Sequence, residues 1–130
     1  MDDDELDLAD LVELAEEAEK VRGQHFTEWW GEVEKLERDQ QWAEYEALLS
    51  EMRDATERGA QIAGYTLAPA PALALAGLYE RRGDAGRAVA ELERFVAAVD
   101  RFRRHEPTGG DAGQRRALET LERLRPQNPG

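Results

Sequence analysis

The stretch PALALAGLYERRGDAGRAVAELERF, residues 71–95, predicts two short helices joined by a tight turn. Pro71 suits the first turn of a helix, because its missing N–H would have no intrahelical partner there. Gly83 can adopt the left-handed conformation that ends this helix, and Asp84 can cap the next one. These residues therefore predict a helical hairpin whose apolar faces pack together.

Helical spacing continues on both sides of this hairpin. Apolar residues recur every three to four positions in four further segments, and no run shows the strict alternation of a half-buried strand. Gly23 should end the first helix, Thr27 should cap the second, and Gly59 should end the third. We expect one all-α domain over residues 1–130, made of a capping helix at 5–22, a first hairpin at 27–58, an ordered connector at 59–71, the second hairpin at 71–104 and a C-terminal helix at 112–125.

The composition argues against several classes of protein. No stretch approaches the roughly 20 apolar residues of a membrane span, and the N-terminus MDDDELDLAD is acidic where a secretory signal would be basic. The chain has no cysteine, which excludes disulfides and thiolate metal sites. We therefore expect a cytoplasmic protein that does not enter a membrane.

The net charge of -12 is unevenly distributed along the chain. Residues 1–65 hold 20 acidic and 6 basic residues, whereas residues 66–130 hold 9 and 11. An acidic half disfavours direct binding of nucleic acid and suits a basic protein partner. The same acidity can also serve solubility alone.

Small and large residues of the second hairpin follow a fixed order: Leu75, Ala76, Tyr79, Gly83, Ala88 and Leu92. In this order the hairpin resembles a tetratricopeptide repeat, although Phe95 stands where that pattern has a small residue. A degenerate copy can be aligned 43 residues earlier, from Trp29, so the resemblance covers residues 27–102. It implies a short right-handed array of stacked antiparallel hairpins, with five to six helices in the whole chain.

The sequence offers little for catalysis. His25 and His105 lie 80 positions apart, each beside a predicted helix end, so the sequence does not indicate a metal site. Ser50 and the threonines have no base nearby in the sequence that would activate a nucleophile. We therefore expect a protein that is not an enzyme and that needs neither a cofactor nor a metal.

The resemblance also implies where a partner would bind. In a tetratricopeptide array the first helix of each hairpin lines the concave face, and this rule selects Trp30, Glu34, Glu37 and Arg38 from the first hairpin, and Leu73, Gly77, Glu80 and Arg81 from the second. That surface would be acidic with one aromatic anchor, which suits a peptide or helix bearing a basic residue beside an apolar one. The alternative is that Trp30 packs in the core and the groove is filled from within.

Two further functions stay open from the sequence. The dense carboxylates of the N-terminal half could imitate the phosphates of nucleic acid, as in an acidic decoy that blocks a nucleic-acid-binding protein. The stripe of Leu8, Leu11 and Val12 could instead form a homodimer. Neither alternative changes the expected fold. The principal expectation is a non-enzymatic helical-repeat adaptor that binds a protein or peptide.

Overall fold

The computed structural model describes residues 8–63, 67–102 and 111–124. Over these residues the all-α class is confirmed, because almost every segment is helical. The elements are α1 (Leu8–Ala18), the short strands β1 (Lys20–Val21) and β2 (Gln24–His25), a 3₁₀ helix (Phe26–Trp29), α2 (Trp30–Arg38), α3 (Trp42–Ala63), α4 (Ala70–Arg81), α5 (Ala85–Phe102) and α6 (Asp111–Leu124). None of these helices is both long and apolar enough to cross a bilayer.

The turns that close the two hairpins have the same geometry. In the first, Gln40 has a φ of 57° and the N–H of Gln41 donates to the carbonyl oxygen of Leu36 at 2.9 Å. In the second, Gly83 has a φ of 75° and the N–H of Asp84 donates to the carbonyl oxygen of Tyr79 at 2.8 Å. This left-handed end with its long backbone bond is a Schellman motif. Gln40 and Gly83 are 43 residues apart.

The core lies between consecutive helices. Helix α3 contacts α1, α2 and α4, and α5 contacts α4 and α6. The largest fully buried side chains come from the middle of this stack and include Leu48, Leu49, Met52, Leu75 and Leu92. Because α3 and α5 are each covered on more than one side, they form the centre of the packing.

A small β-ribbon follows α1. The sequence predicted neither this ribbon nor the early end of the first helix. Helix α1 ends at Ala18 rather than at residue 22, and β1 pairs with β2 through a two-residue turn. Arg22 and Gly23 in that turn have φ values of 52° and 90°, the pattern of a type I′ hairpin turn. The indole N–H of Trp29 donates to the carbonyl oxygen of Val21 at 2.9 Å and holds the ribbon beside α2. Strands of two residues are too short to show alternation in a sequence.

Helix α3 continues past the residue that was expected to end it. Gly59 is buried within α3, and the helix ends only at Ala63. The predicted connector at 59–71 is therefore helical at its start, residues 64–66 lie outside the described residues, and Leu67 is buried. A Cβ added at Gly59 would overlap the Glu19 side chain, so glycine is present here for close packing rather than for a helix end.

Candidate functional site

One ion pair joins the residues that the sequence selected on α2 to those that it selected on α4. Glu37 accepts a hydrogen bond from Nη2 of Arg81 at 3.2 Å, so the last turns of the two helices lie next to each other. At the opposite end of the two helices, Trp30 and Leu73 are partly buried and pack against the core. We call this surface the α2/α4 face and define it by Trp30, Glu34, Glu37, Arg38, Leu73, Gly77, Glu80 and Arg81.

The α2/α4 face is less acidic than its sequence suggests. Glu37 is neutralised by Arg81, and Glu80 accepts hydrogen bonds from Nη2 of Arg123 at 3.0 and 3.1 Å. Arg123 belongs to α6, which the sequence alone could not place beside α4. Glu34 and Arg38 are exposed and carry opposite charges. With Arg123 included, the face carries three carboxylates and three guanidinium groups.

Trp42, the first residue of α3, borders the α2/α4 face. Its ring lies 5.1 Å from the guanidinium carbon of Arg81, which is a cation–π contact. Trp42, Leu78, Arg81 and Arg82 also line a cavity of about 160 Å³. Tryptophan at the first position of α3 is therefore half-buried between the core and the outer edge of the face.

Gly77 leaves an open space in the middle of the α2/α4 face. A Cβ built at this position would have no neighbouring atom within 4 Å. Gly77 lies one helical turn after Leu73 and one turn before Arg81, so the space separates the apolar end of the face from its charged end. An apolar group of a partner could enter here without displacing a side chain.

His25 does have a hydroxyl beside it, contrary to the expectation that no threonine would lie near a base. Its Nδ1 is 2.9 Å from Oγ1 of Thr27, and its Nε2 is 2.8 Å from Oε1 of Glu19. Nδ1 also accepts the backbone N–H of Thr27, so Nε2 carries the proton and donates to Glu19. The ring thus caps the 3₁₀ helix, and His25 replaces Thr27 as the capping residue. The type I′ turn produces this arrangement by bringing the chain back towards α1.

A second surface, which the sequence analysis missed, lies between α3 and α5. Arg82 and Arg87 donate to Glu46 at 2.7 and 3.1 Å, and the Tyr79 hydroxyl donates to the same carboxylate at 2.9 Å. Further along, Arg53 donates to Glu91 at 2.6 Å. A cavity of about 310 Å³ lies between these pairs. Its lining is Glu46, Ser50, Arg53, Tyr79, Arg87, Ala90, Glu91 and Arg94.

Two carboxylates of this network have pKa values that move in opposite directions. The hydrogen bond from Arg82 holds the pKa of Glu46 below its ordinary value of 4.5, with help from Tyr79. Burial raises the pKa of Glu91 and outweighs the opposing effect of Arg53. Oε2 of Glu91 is buried without a hydrogen-bond partner among the described atoms, which agrees with a carboxylate that is costly to ionise.

Replacing Glu46 with glutamine should make the free energy of unfolding depend less on pH in the acidic range. The folded pKa of Glu46 lies below 4.5, so its stabilisation is present above that pH and is lost as the pH falls through the lowered pKa. At neutral pH we expect Glu46→Gln to lower the free energy of unfolding by about 1–2 kcal/mol, because three donors lose a charged acceptor. Urea unfolding at a series of pH values should show this difference shrinking in acid.

Glu91→Gln is the matched comparison for that measurement. The folded pKa of Glu91 lies above 4.5, so its contribution is present below that pH and is lost as the pH rises through the raised pKa. As the pH rises from 4.5 through the raised pKa of Glu91, the free energy of unfolding of Glu91→Gln should increase relative to that of the wild type. Identical pH profiles for Glu46→Gln and the wild type would contradict the assignment of the Glu46 network.

The described residues hold no group of three or more histidine, aspartate or glutamate side chains placed to bind a metal ion. The described residues do form the partly apolar α2/α4 face and the charged groove between α3 and α5. Comparisons with known proteins gave no match to a family model, to a curated protein or to a solved structure.

Proposed function

We propose that the protein is a non-enzymatic interaction module that binds a partner protein or peptide on the α2/α4 face. The partner segment would place an apolar side chain over Gly77, between Leu73 and Arg81. A basic residue of the same segment would lie near Glu34, the exposed carboxylate of this face without an arginine partner among the described residues. Apolar anchors surrounded by charged groups are typical of residues that dominate binding energy.

The open space over Gly77 is the observation that carries this proposal. The large apolar side chains of the face, Trp30 and Leu73, pack on the core. The carboxylates of Glu37 and Glu80 each form an ion pair with an arginine. Glycine inside a helix costs about 1 kcal/mol relative to alanine. Gly77 therefore lowers the stability of α4 and leaves a space that no side chain fills. This arrangement suits a site that accepts a side chain of a partner.

We further propose that the two hairpins, α2 with α3 and α4 with α5, are tetratricopeptide-like repeats. The support is their shared Schellman turns at a 43-residue offset and the burial of Tyr79, Ala88 and Leu92 at positions that the pattern requires. Helices α1 and α6 would then cap an array that is too short to be stable alone, since such arrays usually need about three units.

Replacing Gly77 with arginine should abolish partner binding and leave the fold intact. The added side chain meets open space, and the helix gains a residue with better intrinsic propensity. We expect proteins captured from native lysate by the wild type to be lost with Gly77→Arg, at unchanged or higher melting temperature. Capture at increasing salt should also release a basic partner, because screening weakens exposed charge pairs.

Two variants control for the change itself. Gly77→Ala adds only a methyl group and should retain the partner, with a small gain in stability. Gly86→Arg makes the same substitution at an exposed position in the first turn of α5, where a Cβ would make only an ordinary contact of 3.7 Å with Asp84. It should also retain the partner. Unchanged capture by Gly77→Arg would exclude the α2/α4 face as the site.

The acidic decoy is less favoured by the arrangement of charges. On α3, the carboxylates of Glu46, Glu51, Asp54 and Glu57 all form ion pairs with arginines of the same chain. Carboxylates paired in this way cannot imitate a continuous row of phosphates. Displacement of a captured partner by duplex DNA would nevertheless identify a decoy directly, since both would then compete for one basic surface.

A further inference from the structure

Helix α5 exposes a stripe of alternating arginine and alanine along the groove between α3 and α5. Its members recur at intervals of three and four residues, so they lie along one line of the helix. All five are exposed: Arg87, Ala90, Arg94, Ala97 and Arg101. We call this line the α5 stripe.

The α5 stripe forms one wall of two consecutive cavities. The first, of about 310 Å³, includes Arg87, Ala90 and Arg94, and the second, of about 340 Å³, includes Arg94, Ala97 and Arg101. Arg94 borders both cavities, so they lie next to each other along α5, and we call the two together the groove. The small alanine side chains leave room for close approach, as the seam of a helix–helix contact requires.

Arg87 and Arg94 of the stripe keep donors that no described residue uses. Arg87 donates through Nη2 to Glu46 and Tyr79, and Arg94 donates through Nε and Nη2 to Glu57 and Asp54. Nε and Nη1 of Arg87 and Nη1 of Arg94 therefore have no partner among the described residues. The charged residues that line the two cavities are four arginines and three glutamates, and Asp54 accepts from Arg94 beside them, so this surface is close to neutral on a chain of net charge -12.

Helix α1 carries the complementary pattern on its outer face. Asp10, Glu13 and Glu17 surround Leu14, whose exposed fraction is 49%, and these four residues line one surface depression. Asp10 and Glu17 are seven residues apart, as are Arg87 and Arg94, and this interval is about 10.5 Å along a helix. Leu14 lies midway between its two carboxylates, as Ala90 lies between the two arginines. We call these four residues the α1 face.

We propose that the α1 face of one copy of this chain docks in the groove beside the α5 stripe of a second copy. Carboxylates of the α1 face would accept hydrogen bonds from the unused donors of Arg87 and Arg94, and Leu14 would be covered by the alanines of the stripe. Charge-assisted bonds between matched rows fix the register of two helices. The proposal uses none of the residues of the α2/α4 face and is independent of the function proposed above.

This contact joins two different surfaces, so it is heterologous. Repetition of such a contact gives a closed ring where the rotation between copies allows closure and an open chain where it does not. The mean mass in solution should therefore rise with protein concentration. It should fall as salt increases, because the interacting charges lie at the surface and are screened.

Paired variants test the contact without removing a partner of Arg87 or Arg94. The face variant, Glu13→Lys with Glu17→Lys, reverses the charge of the α1 face. The face variant does remove the exposed ion pair between Glu17 and Lys20, whose Oε2 and Nζ atoms lie 2.8 Å apart. The groove variant, Ala90→Glu with Ala97→Glu, places carboxylates on the α5 stripe at two exposed positions. In sedimentation equilibrium each variant alone should self-associate at least about tenfold more weakly than the wild type, a loss of about 1.4 kcal/mol.

Mixing the two variants should restore association. The groove variant keeps a normal α1 face and the face variant keeps a normal groove, so one intact contact forms between them. Ala70→Glu with Ala85→Glu makes the same charge change at exposed positions outside the stripe, and it should associate like the wild type. Gly77→Arg should also associate like the wild type, which separates this proposal from binding on the α2/α4 face.

A monomeric wild type at all concentrations and at low salt would overturn the proposal. Association that survives in both variants would overturn it as well, since a contact through Leu8, Leu11 and Val12 does not need the groove. Failure of the mixture to associate would have the same meaning. Circular dichroism melting of each variant would confirm that the comparison is made between folded proteins.

Discussion

Replacing Ala88 with arginine should unfold the protein. Ala88 has no exposed surface and lies in the core where α5 packs, so a long charged side chain must either enter the core or separate the helices. Burial of an unpaired charge and overpacking are among the few mechanisms that exceed about 4 kcal/mol. The whole free energy of unfolding of a small domain is about 5–15 kcal/mol. Circular dichroism should therefore show strongly reduced helicity and the loss of a cooperative melting transition.

Ala97→Arg is the control for that substitution. Ala97 lies on the same helix and is exposed, so its variant makes the same chemical change without burying the charge. Its melting temperature should stay close to that of the wild type. If Ala88→Arg melted at the same temperature as Ala97→Arg, the packing of α5 against α4 would be wrong, and with it the two-hairpin arrangement.

The second hairpin was predictable because its signals are local. Helix α4 begins at Ala70, one residue before the proline expected to open it, and the turn at Gly83 lies where the sequence placed it. Ala88 and Leu92 are both fully buried, as the helical spacing of α5 predicts. Proline, glycine and apolar spacing act through the backbone over a few residues, so their meaning survives without knowledge of the rest of the fold.

The features that the sequence did not predict depend on tertiary contacts. Gly59 looks like a helix end in the sequence, but it is the position where Glu19 packs against α3. The β-ribbon is held by the bond from Trp29 to Val21. Neither partner could be identified before the path of α1 across α3 was known. A glycine signals a stop or a close approach equally well, and only the tertiary structure decides between them.

The charge of the α2/α4 face could not be predicted from the sequence. Of the residues that the sequence selected, Glu37 and Arg81 neutralise each other in a 3.2 Å ion pair. Arg123 was missed because it approaches Glu80 from α6, across a segment outside the described residues.

The uneven distribution of charge has an internal use that composition alone does not indicate. Carboxylates of the acidic half lie on α3, and arginines of the nearly neutral half lie on α5. Glu46 pairs with Arg87, and Glu57 pairs with Arg94. Part of the acidity therefore joins the two hairpins to each other. Exposed pairs of this kind each contribute about 0–1 kcal/mol, so their main effect is on the register of α3 against α5.

Replacing Gly59 with leucine should be strongly destabilising, although leucine favours helices. The new side chain would occupy the space of Glu19, which is itself buried and bonded to His25. Displacing Glu19 would break that bond and separate α1 from α3. Overpacking costs about 1–3 kcal/mol and the loss of a buried charged hydrogen bond about as much again, against a helix-propensity gain of about 1 kcal/mol. We expect a net loss of about 1–5 kcal/mol in urea unfolding.

Gly77→Leu is the matched control and should have the opposite sign. Both glycines lie inside helices, but a Cβ at Gly77 meets open space, so only the propensity gain remains. A double variant then tests the cause. In Gly59→Leu with Glu19→Ala, the overlap is gone, and the combined loss should be smaller than the sum of the two single losses by about 1 kcal/mol or more. Strict additivity would mean that Glu19 does not set the cost at Gly59, and that α1 does not pack on α3 through this contact.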